Sequence, residues 1–167
     1  MRPTLLLALL LVAGCKSTDP TPNYSMTGSW TVQSALSGTF TPAGGATGYS
    51  VSCTGRASVS VFENENGQLV GHDSGDLTCV NPEFGTVSAT NLSGQLSGTH
   101  QEGIVMMVGC ACRYSGKMSS TTSAAGNLGC SITDLDGAGG WGYEPGLSVP
   151  GILQSYGTWT TTEPQAP

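Results

Sequence analysis

Residues 56–67 constrain the fold more than any other stretch of this chain. Arg56–Glu63 sets Ala57, Val59 and Val61 against Ser58 and Ser60, then breaks into Asn64-Glu65-Asn66-Gly67. Alternation of period two describes a strand with one buried face. Asn-Gly is the strongest short hairpin signal, because both residues tolerate positive φ. The return strand is read over Gln68–Thr78, broken at Ser74-Gly75, with Asp73 and Asp76 flanking a solvated turn.

The same grammar recurs along the chain, and no segment shows sustained helical periodicity. Ser29–Ser34 places Trp30 and Val32 on one face. Thr86–Thr90 and Leu92–Thr99 switch their apolar set from Val87 and Ala89 to Leu92 and Leu96, which predicts a turn or bulge near Asn91. Ile104–Val108 is apolar at every position and predicts a buried strand. Arg113–Ser119 and Leu128–Thr133 alternate again, and Gly157–Thr161 closes the set with Trp159. This makes about eight strands at hairpin spacing, an all-β antiparallel meander. Such a sheet removes its edges by closing into an up-and-down barrel or, alternatively, by stacking as a sandwich.

The start of the chain reads differently. Met1-Arg2 is a short positive opening, Leu5–Ala13 is an unbroken apolar run, and Gly14-Cys15 follows. The run is too short to span a bilayer, which takes about 20 residues, and it fits the core of a signal peptide. Val12-Ala13-Gly14-Cys15 resembles the lipobox of bacterial lipoproteins. The resemblance implies cleavage before Cys15 and a diacylglycerol on its thiol. Residues 16–23, with two prolines among small polar residues, read as an extended tether. Lys16 stands where an inner-membrane retention signal would carry Asp, so the outer membrane is favoured by resemblance to that sorting rule. The division is a signal peptide over 1–14, a lipidated tether over 15–26, one domain over 27–163 and a tail over 164–167.

A second resemblance lies at the domain start. Thr27-Gly28-Ser29-Trp30-Thr31 resembles the opening of avidin-like chains, and Gly28-x-Trp30 the first strand of lipocalins. Leu69-Val70-Gly71-His72 and Leu96-Ser97-Gly98-Thr99 echo their rhythm. It implies a small barrel in which Trp30 plugs one end. The biotin-site pattern has no extended match, so biotin is not implied.

Charge excludes one class of partner. The net charge is −6, and loss of Arg2 leaves four basic residues against eleven acidic ones. An acidic chain with scattered cations binds phosphate backbones poorly, so nucleic acid is not expected. Charged residues are 10% of the chain, where about 25% is usual, and Ser, Thr and Gly solvate the surface instead.

After Cys15 the cysteines are Cys53, Cys79, Cys110, Cys112 and Cys130. Export favours disulfides. Cys53 and Cys79 flank the Asn66-Gly67 turn almost symmetrically, and Cys130 is placed to pair with Cys110 or Cys112. An alternative is a Cu(I) site, since Met106, Met107, Cys110, Cys112, Met118 and Cys130 crowd one region and soft sulfur donors suit that ion. Asp134-Leu135-Asp136-Gly137 begins like a calcium loop but lacks further donors, so it is read as a turn. No cofactor is expected.

Catalysis is not expected either. No nucleophile elbow, zinc-protease helix motif or phosphate loop is present. His72 and Asp73 are adjacent on a strand and point to opposite faces. Glu63 and Glu65 bracket the hairpin tip, where charge aids solubility.

Gly137–Gly151 is a glycine-rich segment carrying Trp141 and Tyr143, longer than a plain connection needs. With Trp30, these aromatics are the candidate ligand contacts. The expectation is a non-catalytic envelope lipoprotein, tethered to the membrane through Cys15, that binds a small apolar ligand or an envelope protein. The competing expectation is a purely structural envelope protein with a filled barrel.

Overall fold

The computed structural model describes residues 24–44, 47–83, 85–109, 111–133, 142–143, 147–148 and 151–165. Cys15 with its lipobox, the first part of the tether, Cys110, Asp134, Asp136 and Trp141 lie outside the described residues.

The alternating runs become ten antiparallel strands: β1 (Gly28–Pro42), β2 (Tyr49–Glu63), β3 (Gln68–Asn81), β4 (Gly85–Gln101), β5 (Ile104–Gly109), β6 (Cys112–Ser120), β7 (Ser123–Thr133), β8 (Gly142–Tyr143), β9 (Leu147–Ser148) and β10 (Gly151–Gln165). Each long strand pairs with its sequence neighbour, β7 pairs with β10, and β10 returns to β1. Pairing of β3 with β4 closes the ring, so eight strands form a barrel in meander order. The barrel reading is therefore the correct one, and the sandwich is not formed. β8 and β9 make a small hairpin whose β8 pairs with Val87 and Ser88 of β4.

The inner face is the apolar half of each alternation. Trp30, Val32, Leu36 and Phe40 of β1, Val51, Cys53, Val59 and Val61 of β2, and Leu153 and Trp159 of β10 are all buried. Their neighbours Gln33, Ser37, Thr39, Ser52, Thr54, Ser58 and Ser60 are exposed. The outward positions are mostly hydroxyl and amide side chains, with Phe62, Val70, Val80 and Ile152 among the exposed apolar ones. Turn chemistry agrees with the sequence: Gly67 takes φ 71 at the β2–β3 turn, and its amide donates to the Asn64 carbonyl at 2.9 Å. Gly71 is required by close approach, for a Cβ there would lie 1.9 Å from the Ser60 carbonyl oxygen of β2.

Three local expectations are corrected. β3 runs unbroken through Ser74-Gly75, which pair with Ser93 and Leu92. The irregularity lies on β4 instead, where Asn91 takes φ 57 and its amide donates to Asp76 Oδ1 at 2.9 Å. A bulge was expected near Asn91, and its amide finds its acceptor across the ladder. Asp73 and Asp76 thus flank no turn: Asp73 is buried on the inner face and Asp76 is exposed. Finally, β5 is buried on one face only. Val105 and Met107 point inward, while Ile104, Met106 and Val108 are about half exposed, because a barrel covers only the inner face of its wall.

Candidate functional site

One end of the barrel carries the turns 64–67, 102–103 and 121–122, and the chain enters there. Met26 is buried across this end. Its carbonyl accepts the Trp30 indole N–H at 2.8 Å, and its amide donates to Glu63 Oε2 at 2.6 Å. The other carboxylate oxygen, Oε1, lies 2.9 Å from Nδ1 of buried His100. The Glu63 amide in turn donates to Thr27 Oγ1 at 3.0 Å. Its place at a hairpin tip makes Glu63 a solubilising charge on the sequence alone. It is instead a clamp that binds the N-terminal segment to the barrel end. Trp30 sits at this end, and Trp159, also buried, meets Tyr114 edge-on at 5.9 Å.

The interior is nearly filled. Among the described residues it holds a cavity of about 60 Å³ lined by Leu36, Asp73, Leu77, Tyr114, Leu128 and Ile132, among others. A water needs about 10–15 Å³ on this measure, so the space suits a few waters. Ligand pockets for organic molecules run to about 300–1,000 Å³. Two disulfides face inward across neighbouring strands, Cys53–Cys79 between β2 and β3 and Cys112–Cys130 between β6 and β7. Of the two partners open to Cys130, Cys112 is the one used. That uses up two of the sulfurs a Cu(I) site would need. Met106 points outward and Met107 inward on β5, and Cys110 lies outside the described residues.

The larger concavity lies on the outer wall. A groove of about 930 Å³ runs over β5, β6, β7 and β10. Register builds it from three rungs. The middle rung is Tyr156, Gly129, Arg113 and Val108. One neighbouring rung pairs Gln154 with Ser131, and the other aligns Thr158, Asn127 and Ser115. Tyr156 is 75% exposed, and its ring leans over Gly129, where a Cβ would meet Cδ1 and Cε1 at 3.0 Å. Glycine therefore makes the floor, and tyrosine and arginine stand on either side of it. The side chains of Arg113, Asn127, Ser131, Gln154 and Thr158 make no hydrogen bond or ion pair with another described residue.

The chain matches no protein-family model, no curated protein and no solved structure. The motif resemblances at Gly28–Trp30 and Val12–Cys15 therefore stand on their own residues.

The sequence-named aromatics fare differently from Tyr156. Tyr143 lies in β8, paired with Val87, and Trp141 lies outside the described residues. Trp30 is at the clamped end, away from the outer groove. Sequence reasoning missed Tyr156 because it began the last strand at Gly157. The signal was present: Leu153, Ser155, Gly157 and Trp159 alternate inward, which turns Gln154, Tyr156 and Thr158 outward.

Proposed function

We propose that this protein is a lipid-tethered, non-catalytic envelope protein whose barrel wall, rather than its lumen, makes the functional contact. The observation that carries this reading is the contrast in space: about 60 Å³ inside against about 930 Å³ in the outer groove. The groove also presents an exposed aromatic ring and uncommitted polar side chains, which is how binding surfaces differ from plain solvated walls. Disulfides on two hairpins suit an oxidising, exported setting. The lipobox resemblance supplies the anchor. Residues 15–23 would reach at most about 30 Å when extended, and the chain enters the barrel at the Glu63 end, so on this reading that end is the one nearer the anchor.

The filled interior also favours a second reading, a purely structural envelope protein with no partner. One experiment separates the two. A photo-crosslinking amino acid replaces Tyr156 in the full-length chain, and a control places it at Thr54 on the far wall. Irradiation in intact cells is expected to give a discrete adduct from position 156 and none from position 54. Equal background from both positions would support the structural reading.

A further inference from the structure

We infer that the outer groove is a binding site for a carboxylate-bearing oligosaccharide, with Tyr156 stacking on a sugar ring and Arg113 pairing with an acid group. This deepens the proposed function and rests on the outer wall being the contact surface. Four features of the groove lead to this class. The Tyr156 ring is 75% exposed and lies beside a floor that Gly129 keeps free of side chain. A flat aromatic face next to a shallow floor accepts the C–H face of a pyranose, an apolar surface ringed by hydroxyls.

The rungs on either side supply matching polar groups. Asn127 and Gln154 carry both donors and acceptors, and Ser115, Ser131 and Thr158 carry hydroxyls. A sugar hydroxyl is likewise both donor and acceptor, so these side chains can meet it in either sense. From Gln154 to Thr158 the strand advances about 13 Å, and the four strands span about 14 Å. That footprint suits a short oligosaccharide rather than a single ring.

Charge decides the acidic character. Arg56, on the far wall, has Asp76 directly across the ladder. Arg113 faces Gly129 and Val108, and Lys117 faces Ala125 and Ile104, with no carboxylate on either side. Both are exposed on β6. Among the described residues Arg113 is the cation that lines the groove, and no carboxylate lines it; Lys117 lies further along β6, outside the lining. Arginine binds carboxylate through two parallel hydrogen bonds. A peptide strand fits less well, since at the middle rung Val108, Arg113, Gly129 and Tyr156 are already paired in one ladder and leave no edge there to extend.

The test uses the full-length chain purified in detergent, titrated with tetragalacturonic acid and, separately, with neutral cellotetraose. The acidic oligomer is expected to bind and to weaken as salt rises. Tyr156→Leu keeps Gly129 covered but removes the aromatic face. It is expected to melt like the parent and to lose at least about tenfold in affinity. Arg113→Gln is expected to lose about fivefold and most of the salt dependence. Arg56→Gln on the far wall is expected to bind as the parent does. No binding of tetragalacturonic acid, equal binding of cellotetraose, or indifference to both groove variants would each overturn the assignment. If the saccharide fails while position 156 crosslinks to a protein in cells, the glycan reading falls and the wall-contact reading stands. If both fail, both readings fall.

Discussion

Nδ1 of His100 lies 2.9 Å from Oε1 of Glu63, joining the ends of β4 and β2 beneath the strand that separates them. The same carboxylate accepts the Met26 amide through Oε2 at 2.6 Å and the Ser25 hydroxyl at 3.3 Å. One side chain thus ties two strands and the incoming chain into a single closed end.

Glu63→Ala should therefore cost more than an exposed glutamate would. It strands the Met26 amide and Nδ1 of His100, both in buried or part-buried positions. The expected loss is about 2–4 kcal/mol, read from the denaturant midpoint at unchanged slope. Glu63→Gln keeps one acceptor and should lose roughly half as much. A change within about 0.5 kcal/mol for the alanine variant, the usual size of a surface substitution, would mean that the clamp adds nothing to stability.

The two disulfides predict a thiol count. In the unfolded, unreduced protein, Cys53, Cys79, Cys112 and Cys130 are bonded, so alkylation should label Cys110 and no other cysteine of the domain. Replacing Cys53 and Cys79 together by Ala should lower stability by about 2–4 kcal/mol, because the bond restricts the unfolded chain. Labelling of Cys53 or Cys130 without reductant would break the assignment.

Two glycines should differ in how they tolerate alanine. At Gly71 the added Cβ would meet the Ser60 carbonyl oxygen at 1.9 Å, and backbone cannot step aside cheaply. Gly71→Ala is expected to cost more than about 2 kcal/mol. At Gly44 the space is open but φ is +75, so Gly44→Ala should cost only about 1 kcal/mol of backbone strain. Thermal melts rank the two, and the reverse order would contradict the close packing of β2 on β3.

Lipidation is tested at its acceptor. Cys15→Ser should leave the precursor uncut and without acyl chains, and the barrel should still fold. Mass spectrometry of the parent protein should find an acylated N-terminus at Cys15. An unmodified N-terminus elsewhere would remove the anchor from the proposed function.

Local chemistry made much of the barrel legible. Alternation such as Val59-Ser60-Val61 specifies which side chains turn inward, because successive Cβ atoms point to opposite faces. Asn66-Gly67 sets the hairpin, and that register brings Cys53 opposite Cys79. The phase switch between Ala89 and Leu92 marked the bulge at Asn91. By itself, then, the sequence determined the strands, most of their inner faces, one disulfide and the region of the bulge, since each depends on residues near one another in the chain. Tertiary structure alone decided the rest. Ile104, Met106 and Val108 read as buried, yet curvature leaves them outside. Glu63 became a clamp only when His100 and Met26 arrived beside it, from 37 residues away on each side. Tyr156, Gly129 and Arg113 come from three strands, and no local pattern relates them. Only the register of the closed sheet sets them in one row, because hydrogen-bonded ladders convert distant positions into neighbours about 5 Å apart.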